Sequence, residues 1–379
     1  MKQETVLKKS PYCRLVVKFG TSLLTGGDNR LDPDIMRSLV AQVASLHGQG
    51  YEVIVISSGA IACGRHKLGL TKRIRGIPYK QVLAAVGQAK LMDEYDRLFG
   101  EYGITVGQAL LTKTDLADRA GYLNARNTLL ALLELGVICV VNENDIVAID
   151  EIESAKFGDN DNLSAMVANL VDADMLLLLT DIAGLYTTDP SRQKNAELIT
   201  EVKKIDRHIE GLAAGTHGNL GTGGMTTKVS AAKLATKCGV TVVIADGREP
   251  NIIPRLAGGE ALGTRFMPSS TKRGSRQRWM MSGVCTMGRL TIDAGAAHAL
   301  ASQKRSLLSA GITGVTGKFT RGDIVEIYDE ANTTIGCGIT NYSSRELEAI
   351  KGADSRKIKS LIDVDYGSEV VHRNNLALQ

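Results

Sequence analysis

Six short blocks along the 379-residue chain combine residue types that could handle a phosphorylated ligand. LVVKFGTS at 15–22 puts Lys18 near the end of an apolar run, just before a Gly-Thr-Ser turn. A lysine inside an apolar strand is costly unless an anion pairs with it; an edge strand whose lysine stem snorkels outward is the other reading. ISSGA at 56–60 places small residues, Ser58 and Gly59 among them, where a strand gives way to a helix. Backbone N–H groups at such a junction form an anion site. VNEND at 141–145 and FGDNDN at 157–162 gather Asp145, Asn160 and Asp161 with further amides and carboxylates. Asn160 or Asp161 could simply cap a helix starting near Leu163, yet the density of such residues exceeds what one cap needs. Thr180 and Asp181 close an apolar run, and GTGGMTTK at 221–228 leads into a helix. Three glycines, three threonines and Lys228 at a helix entry suit a phosphate cradle, with a flexible surface turn as the alternative.

Together these blocks point to phosphoryl transfer. Lys18 and Lys228 would neutralise charge on the moving group, and backbone amides near Gly20, Ser58, Gly59, Gly223 and Gly224 would hold its oxygens. If the acceptor is also an anion, repulsion is the central barrier, and the two lysines with Mg²⁺ would offset it. No covalent nucleophile is required. The familiar nucleotide signatures are absent: GITGVTGKF comes nearest to a phosphate-binding P-loop, but Ile312 stands where the first glycine must be. The six histidines are scattered, and none has an obvious orienting partner.

These residues need strand ends and helix starts to hold them. Apolar runs at 15–19, 53–56, 105–111, 137–141, 175–179 and 240–245 predict strands. Helical periodicity covers 34–46, 79–99, 123–135, 163–170 and 227–237. Runs such as MLLLL are apolar on both faces, which fits a mainly parallel sheet sandwiched by helices, an α/β domain. The rhythm breaks at 264–278, where five basic residues meet no acid; this is a solvated linker or a nucleic-acid-binding arm. Beyond Trp279, β-like pieces at 288–292, 317–319, 324–328 and 336–339, with one helix at 294–302, predict a small, mostly β domain.

Composition narrows the class. The net charge of +4 is too small for a whole-chain nucleic-acid binder. It arises after residue 267, since 30 basic and 30 acidic side chains precede that point and 15 and 11 follow it. Glycine is abundant at 40 while proline is only 7, which suggests tight turns or close backbone–ligand approaches rather than disorder. Six dispersed cysteines without a C-x-x-C pair read as free thiols in a reducing compartment. No run reaches the roughly 20 apolar residues of a membrane span, and residues 1–10 lack the apolar core of a signal peptide. A cytoplasmic protein is expected.

Taken in order, VVKFGTS, VISSGAIACG, VNEND, GDNDNLSA, LLLLTDIAGLY and NLGTGGMTTK resemble the amino-acid kinase family. The resemblance runs from about residue 14 to 373. It is strongest to the branch that phosphorylates glutamate and carries a C-terminal PUA domain, a small pseudo-barrel otherwise known from RNA-modifying proteins. It implies a catalytic domain at 12–263, a linker at 264–281, a PUA-like domain at 282–365 and a tail at 366–379. The catalytic set would be Lys18, Asp161 and Lys228, with Asp161 holding the two lysines. Ser58, Asp145 and Asn160 would bind glutamate, Asp145 facing its ammonium. Lys18, Thr180 and Asp181, with Thr222, Gly223, Gly224, Met225, Thr226, Thr227 and Lys228, would bind ATP. Phe19, Ile182 and Thr226 depart slightly from the family pattern without touching the chemistry.

The implied reaction is in-line attack of the γ-carboxylate of L-glutamate on ATP, the first step of proline biosynthesis. The resemblance also implies Mg²⁺, with ligands unassigned, a homo-oligomer and feedback inhibition by L-proline. Kinases of acetylglutamate, aspartate, carbamate or UMP are alternatives, against which the VNEND and GDNDN blocks and the tail domain argue. An RNA-binding protein on a degenerate kinase scaffold is the rival from another class; the intact lysines and glycine loop argue against it. An auxiliary RNA contact by the tail domain stays open.

Overall fold

The structure, a computed structural model, describes residues 12–26, 30–70, 76–148, 160–190, 193, 195–214, 224–269, 287–364 and 366–378. By packing, the chain divides into two units, Met1–Thr114 with Thr128–Lys272, and Asp115–Asn127 with Arg273–Gln379.

In the first unit, eight strands form one sheet: β1 (Arg14–Phe19), β2 (Glu52–Ile56), β3 (Val106–Leu111), β4 (Ile138–Glu143), β5 (Met175–Thr180), β6 (Glu201–Val202), β7 (Thr241–Asp246) and β8 (Thr264–Phe266). Their order is β3-β4-β2-β1-β5-β7-β8-β6. The first six in that order run parallel, and β8 lies antiparallel to β7. The short β8 and β6 escape a periodicity reading. The start of the expected linker therefore belongs to the sheet, with Thr264 and Phe266 fully buried. The strands expected at 15–19, 53–56, 105–111, 137–141, 175–179 and 240–245 are all present, each within a residue or two of its expected limits.

Side-chain alternation along β1 decides what reaches the site. Leu15, Val17 and Phe19 face a core shared with helices Pro33–Gly48 and Ile77–Gly100. Asp32 caps the first of these, accepting from the Asp34 and Ile35 amides, and Pro33 opens it. Val16 and Lys18 must then point to the opposite face. Helix Asn160–Leu170 packs there on β1 and β5, and helix Met225–Lys237 packs against it.

A second close contact matters for the site. Helix Ala60–Lys67, which the strand-to-helix junction at 56–60 leads one to expect, lies against helix Ile77–Gly100 with backbones almost touching. A Cβ at Gly64 would come within 1.9 Å of the Leu83 carbonyl oxygen, and one at Gly87 within 1.7 Å of the Ala60 carbonyl oxygen. Only glycine permits this crossing. Among the described residues, no helix is long and apolar enough to cross a membrane.

The second unit is built on β9 (Gly288–Ile292), β11 (Ile312–Gly317), β12 (Ile324–Asp329), β13 (Thr334–Ile339) and β15 (Leu376–Leu378), in the order β11-β9-β12-β13-β15. A separate pair joins β10 (Leu307–Leu308) to β14 (Glu369–Val371). Two expectations change here. The strand expected at 317–319 runs instead over Ile312–Gly317, where pairing with β9, with a register shift between Ile312 and Gly314, fixes it in place of any apolar alternation; Phe319 is buried beyond it. Residues 366–378, expected as a tail, carry β14 and β15, which are too short for alternation to reveal. Residues 115–127 complete this unit. Arg126, only 2% exposed, donates from Nε to Asn375 Oδ1 at 2.7 Å and from Nη2 to the Asn374 carbonyl at 2.8 Å. Leu123 packs beside Ile324, Ile339 and Ala377.

Candidate active site at the strand ends

The parallel strands β4, β2, β1, β5 and β7 end side by side. Lys18 is in register with Ile56 on β2 and Leu178 on β5, and Thr180 with Asp246 on β7. In open parallel sheets the carboxyl ends of the strands are where ligands bind. Each strand here releases a polar residue at that edge.

Lys18 sits in a central strand, not at an edge, so its stem cannot snorkel to solvent. Its Nζ lies 2.7 Å from Asp161 Oδ1. Lys228 Nζ lies 3.4 Å from Asp161 Oδ2, and the Thr227 hydroxyl donates to that same oxygen at 2.7 Å. Asp161 is 2% exposed, Lys228 5% and Lys18 6%. Burial alone would push the Asp161 carboxyl upward, but the Lys18 and Lys228 ammoniums and the Thr227 hydroxyl hold it well below the ordinary carboxylate range. One buried carboxylate thus serves two buried cations. Helix Asn160–Leu170 begins at Asn160, so Asp161 stands in its first turn, and its acceptors go to the lysines rather than to a cap.

Asn160 is tied to the end of β2. Its Nδ2 donates to the Ser57 carbonyl at 3.0 Å, to Ser58 Oγ at 2.9 Å and to Asn142 Oδ1 at 3.1 Å. Gly59 follows with φ +98°, a left-handed turn into helix Ala60–Lys67 that a side chain would strain. Asp145 lies half-buried in the turn after β4. Thr180 donates to Asp181 Oδ1 at 3.0 Å. Gly224 precedes helix Met225–Lys237, Met225 is buried within it, and the exposed Thr226 donates to the Ala213 carbonyl at 3.2 Å. Thr222 and Gly223, together with Gly158 and Gly221, lie outside the described residues.

Several contributors escape the sequence reading. Gln88 accepts from Asn142 Nδ2 at 2.8 Å, and the Tyr95 hydroxyl meets Ser57 Oγ at 2.8 Å. Burial pushes the Tyr95 phenol above its ordinary value and keeps it protonated. Both residues lie on helix Ile77–Gly100, on the stripe that includes Leu91; a polar residue at an apolar position of that stripe was the available signal. Arg248 grips Asp246 with Nε to Oδ1 at 2.9 Å and Nη2 to Oδ2 at 2.6 Å, and also donates to the Asp181 carbonyl at 2.6 Å. It thereby joins the ends of β5 and β7.

Metal ligation fits poorly. Among the described residues no group of three or more His, Cys, Asp or Glu side chains converges, and the buried Asp161 carboxylate is committed to two ammoniums and a hydroxyl. This donor set does not make a protein cage for Mg²⁺.

The sequence profile of the amino acid kinase family matches residues 14–246, and that of the PUA domain matches residues 288–362. A glutamate 5-kinase of Dehalococcoides mccartyi is 57% identical over 372 residues, covering 98% of this chain and 100% of the relative. The glutamate 5-kinase of a second strain of that species is 59% identical over 367 residues, covering 97% and 98%. A glutamate 5-kinase of Herpetosiphon aurantiacus is 49% identical over 365 residues, covering 96% and 98%.

Proposed function

This chain belongs to the amino acid kinase family, and from that membership we propose that it transfers the γ-phosphoryl group of ATP to the γ-carboxylate of L-glutamate, the first step of proline biosynthesis. The products are L-glutamyl 5-phosphate and ADP. The observation that carries this reading is the buried Lys18–Asp161–Lys228 cluster, two cations on one carboxylate at the carboxyl ends of a parallel sheet.

Both reactants are anions, so bringing them together is the main electrostatic obstacle. A γ-carboxylate is already ionised at neutral pH and needs no general base. One of its oxygens attacks the γ-phosphorus in line, forming the new O–P bond. The bond from phosphorus to the β–γ bridging oxygen breaks, and its electron pair leaves with ADP. Lys18 and Lys228 face the charge that spreads over the equatorial oxygens. Asp161 fixes both ammoniums in advance, so little reorganisation is needed when the transition state forms. Ser58, Asn160 and Asp145 orient the amino acid, and Thr180, Asp181 and the entry of helix Met225–Lys237 orient the nucleotide. Mg²⁺ accompanies ATP through phosphate oxygens and water in this reading. Inhibition by L-proline and assembly into a homo-oligomer belong to it as well, with the family resemblance as their support.

The test is an ATP-dependent assay in which hydroxylamine traps the acyl phosphate. Hydroxamate should form with glutamate and far more slowly with aspartate or acetylglutamate, and UMP should not be phosphorylated. Turnover of any of these three with none on glutamate overturns the assignment.

A further inference from the structure

Three side-chain amides run in a chain beside the lysine cluster, and backbone groups fix which way each faces. The Glu143 amide donates to Asn142 Oδ1 at 2.9 Å. A backbone N–H can only donate, so that atom of Asn142 must be the oxygen. Asn142 Nδ2 is then the donor to Gln88, and the Gln88 atom that receives it, 2.8 Å away, must be Oε1. The Ser57 carbonyl accepts from Asn160 at 3.0 Å. A carbonyl can only accept, so that atom of Asn160 must be Nδ2. The outer two amides are each left with one unused atom. Among the described residues, neither Gln88 Nε2 nor Asn160 Oδ1 has a hydrogen-bond partner, and both atoms are buried.

A buried donor and a buried acceptor left open in one network are costly unless a ligand fills them. The pair is complementary to a zwitterion: the N–H suits a carboxylate oxygen, and the carbonyl oxygen suits an ammonium. On the functional reading above, the γ-carboxylate must approach Lys18 and Lys228. Asn160, next to Asp161, stands nearest them in the relay. Gln88 is farther away, beyond Asn142, where the other end of the amino acid would lie. We propose that Gln88 reads the α-carboxylate of the substrate through Nε2, while Asn160 Oδ1 accepts from its ammonium. Gln88 is thus a specificity-determining residue contributed by helix Ile77–Gly100. The Gly64 and Gly87 crossing, which presses that helix onto helix Ala60–Lys67, holds it there.

The test rests on the functional reading and uses glutamate beside 4-aminobutyrate, which is glutamate without its α-carboxylate, and glutarate, which lacks the ammonium. In the full-length enzyme, Gln88→Glu keeps the acceptor for Asn142 and replaces the open donor with an acidic group; Gln88→Leu removes both and serves if the first variant does not fold. The ratio of kcat/KM for glutamate to that for 4-aminobutyrate should fall by about 10-fold or more, the usual range for a hydrogen bond to a charged group. The glutamate-to-glutarate ratio and the KM for ATP should each stay within about twofold, because Gln88 meets neither the ammonium nor the nucleotide. Equal losses on glutamate and 4-aminobutyrate, or a KM for ATP that rises in step, overturn the proposal and leave the kinase reading standing. Wild-type enzyme without turnover on glutamate overturns both.

Discussion

Replacing Asp161 with asparagine keeps the shape of the side chain and removes a negative charge that pairs with both Lys18 and Lys228. Both ammoniums are nearly closed to water, at 6% and 5% exposure. Deleting one partner of a buried ion pair typically costs about 3–5 kcal/mol, most of it from the charge left behind. Here two buried cations each lose an ion-pair partner, so the upper part of that range, about 4–5 kcal/mol, is expected for the first unit. A domain with about 5–15 kcal/mol of stability would stay folded but become fragile. Urea unfolding followed by circular dichroism reads the change, each unit being fitted as its own transition. Sulfate should recover more stability in the variant than in the wild type, since an anion can take the vacated role. Turnover should fall by about 100-fold or more, because the lysines are no longer held in place. The pH dependence carries a sign. The Asp161 carboxyl is held below its ordinary range, so its contribution is complete above the unfolded value of about 3.9 and is lost as pH falls through the lower folded value. Wild type should therefore shed this stability only in strong acid, and Asp161→Asn should show no such loss. An unchanged urea midpoint with turnover within about threefold of wild type would refute the reasoning.

Lys228→Ala should lower hydroxamate formation by about 10³-fold with the circular dichroism spectrum preserved, because Asp161 retains Lys18 at 2.7 Å; near-normal turnover contradicts the mechanism. Gly87→Ala would set a methyl group 1.7 Å from the Ala60 carbonyl oxygen, costing about 1–3 kcal/mol or more, and should raise the KM for glutamate through the displaced Gln88. Arg248→Met should raise the KM for ATP by about three- to tenfold while sparing that for glutamate, since it frees the Asp181 carbonyl from its anchor. Burial raises the Cys63 thiol to about 11 and the Cys139 thiol to about 12, so iodoacetamide at pH 8 should label the exposed Cys13 well before either; rapid labelling of Cys139 would show that β4 opens.

The catalytic sheet was legible because its central strands are buried on both faces and so read as unbroken apolar runs. Lys18 stood out against that background: a charge in β1 requires a partner. Which partner was not legible from spacing, because Lys18 and Asp161 meet through a helix packed on the sheet; the family resemblance supplied the pairing. Gln88 was missed for the opposite reason, since one polar residue on a long amphipathic helix looks like tolerated surface until its neighbours are known. Helix Ala60–Lys67 is legible only as a helix beginning after the junction at 56–60, and its extent is not, because alanines and glycines give it no apolar stripe. Its Gly64 is there for backbone contact, a property that hydrophobic periodicity does not encode. The short strands β6, β8, β14 and β15 take their identity from tertiary pairing rather than from local pattern.

The pairing of Arg126 with Asn375 spans 249 positions of the chain, and it sets a schedule for folding during synthesis. Ribosomes add roughly 5–20 residues per second, so the partner of Arg126 emerges about 12–50 s after Arg126 itself. Through that interval a strand-and-helix unit can assemble around β1, β2 and β5, while residues 115–127 wait for a docking surface that has not yet been made. Strand β15, made well after Arg126, is therefore also the one that completes the sheet beside Leu123. A nascent chain arrested shortly before residue 374 would hold the lysine cluster without the contacts that seat Arg126.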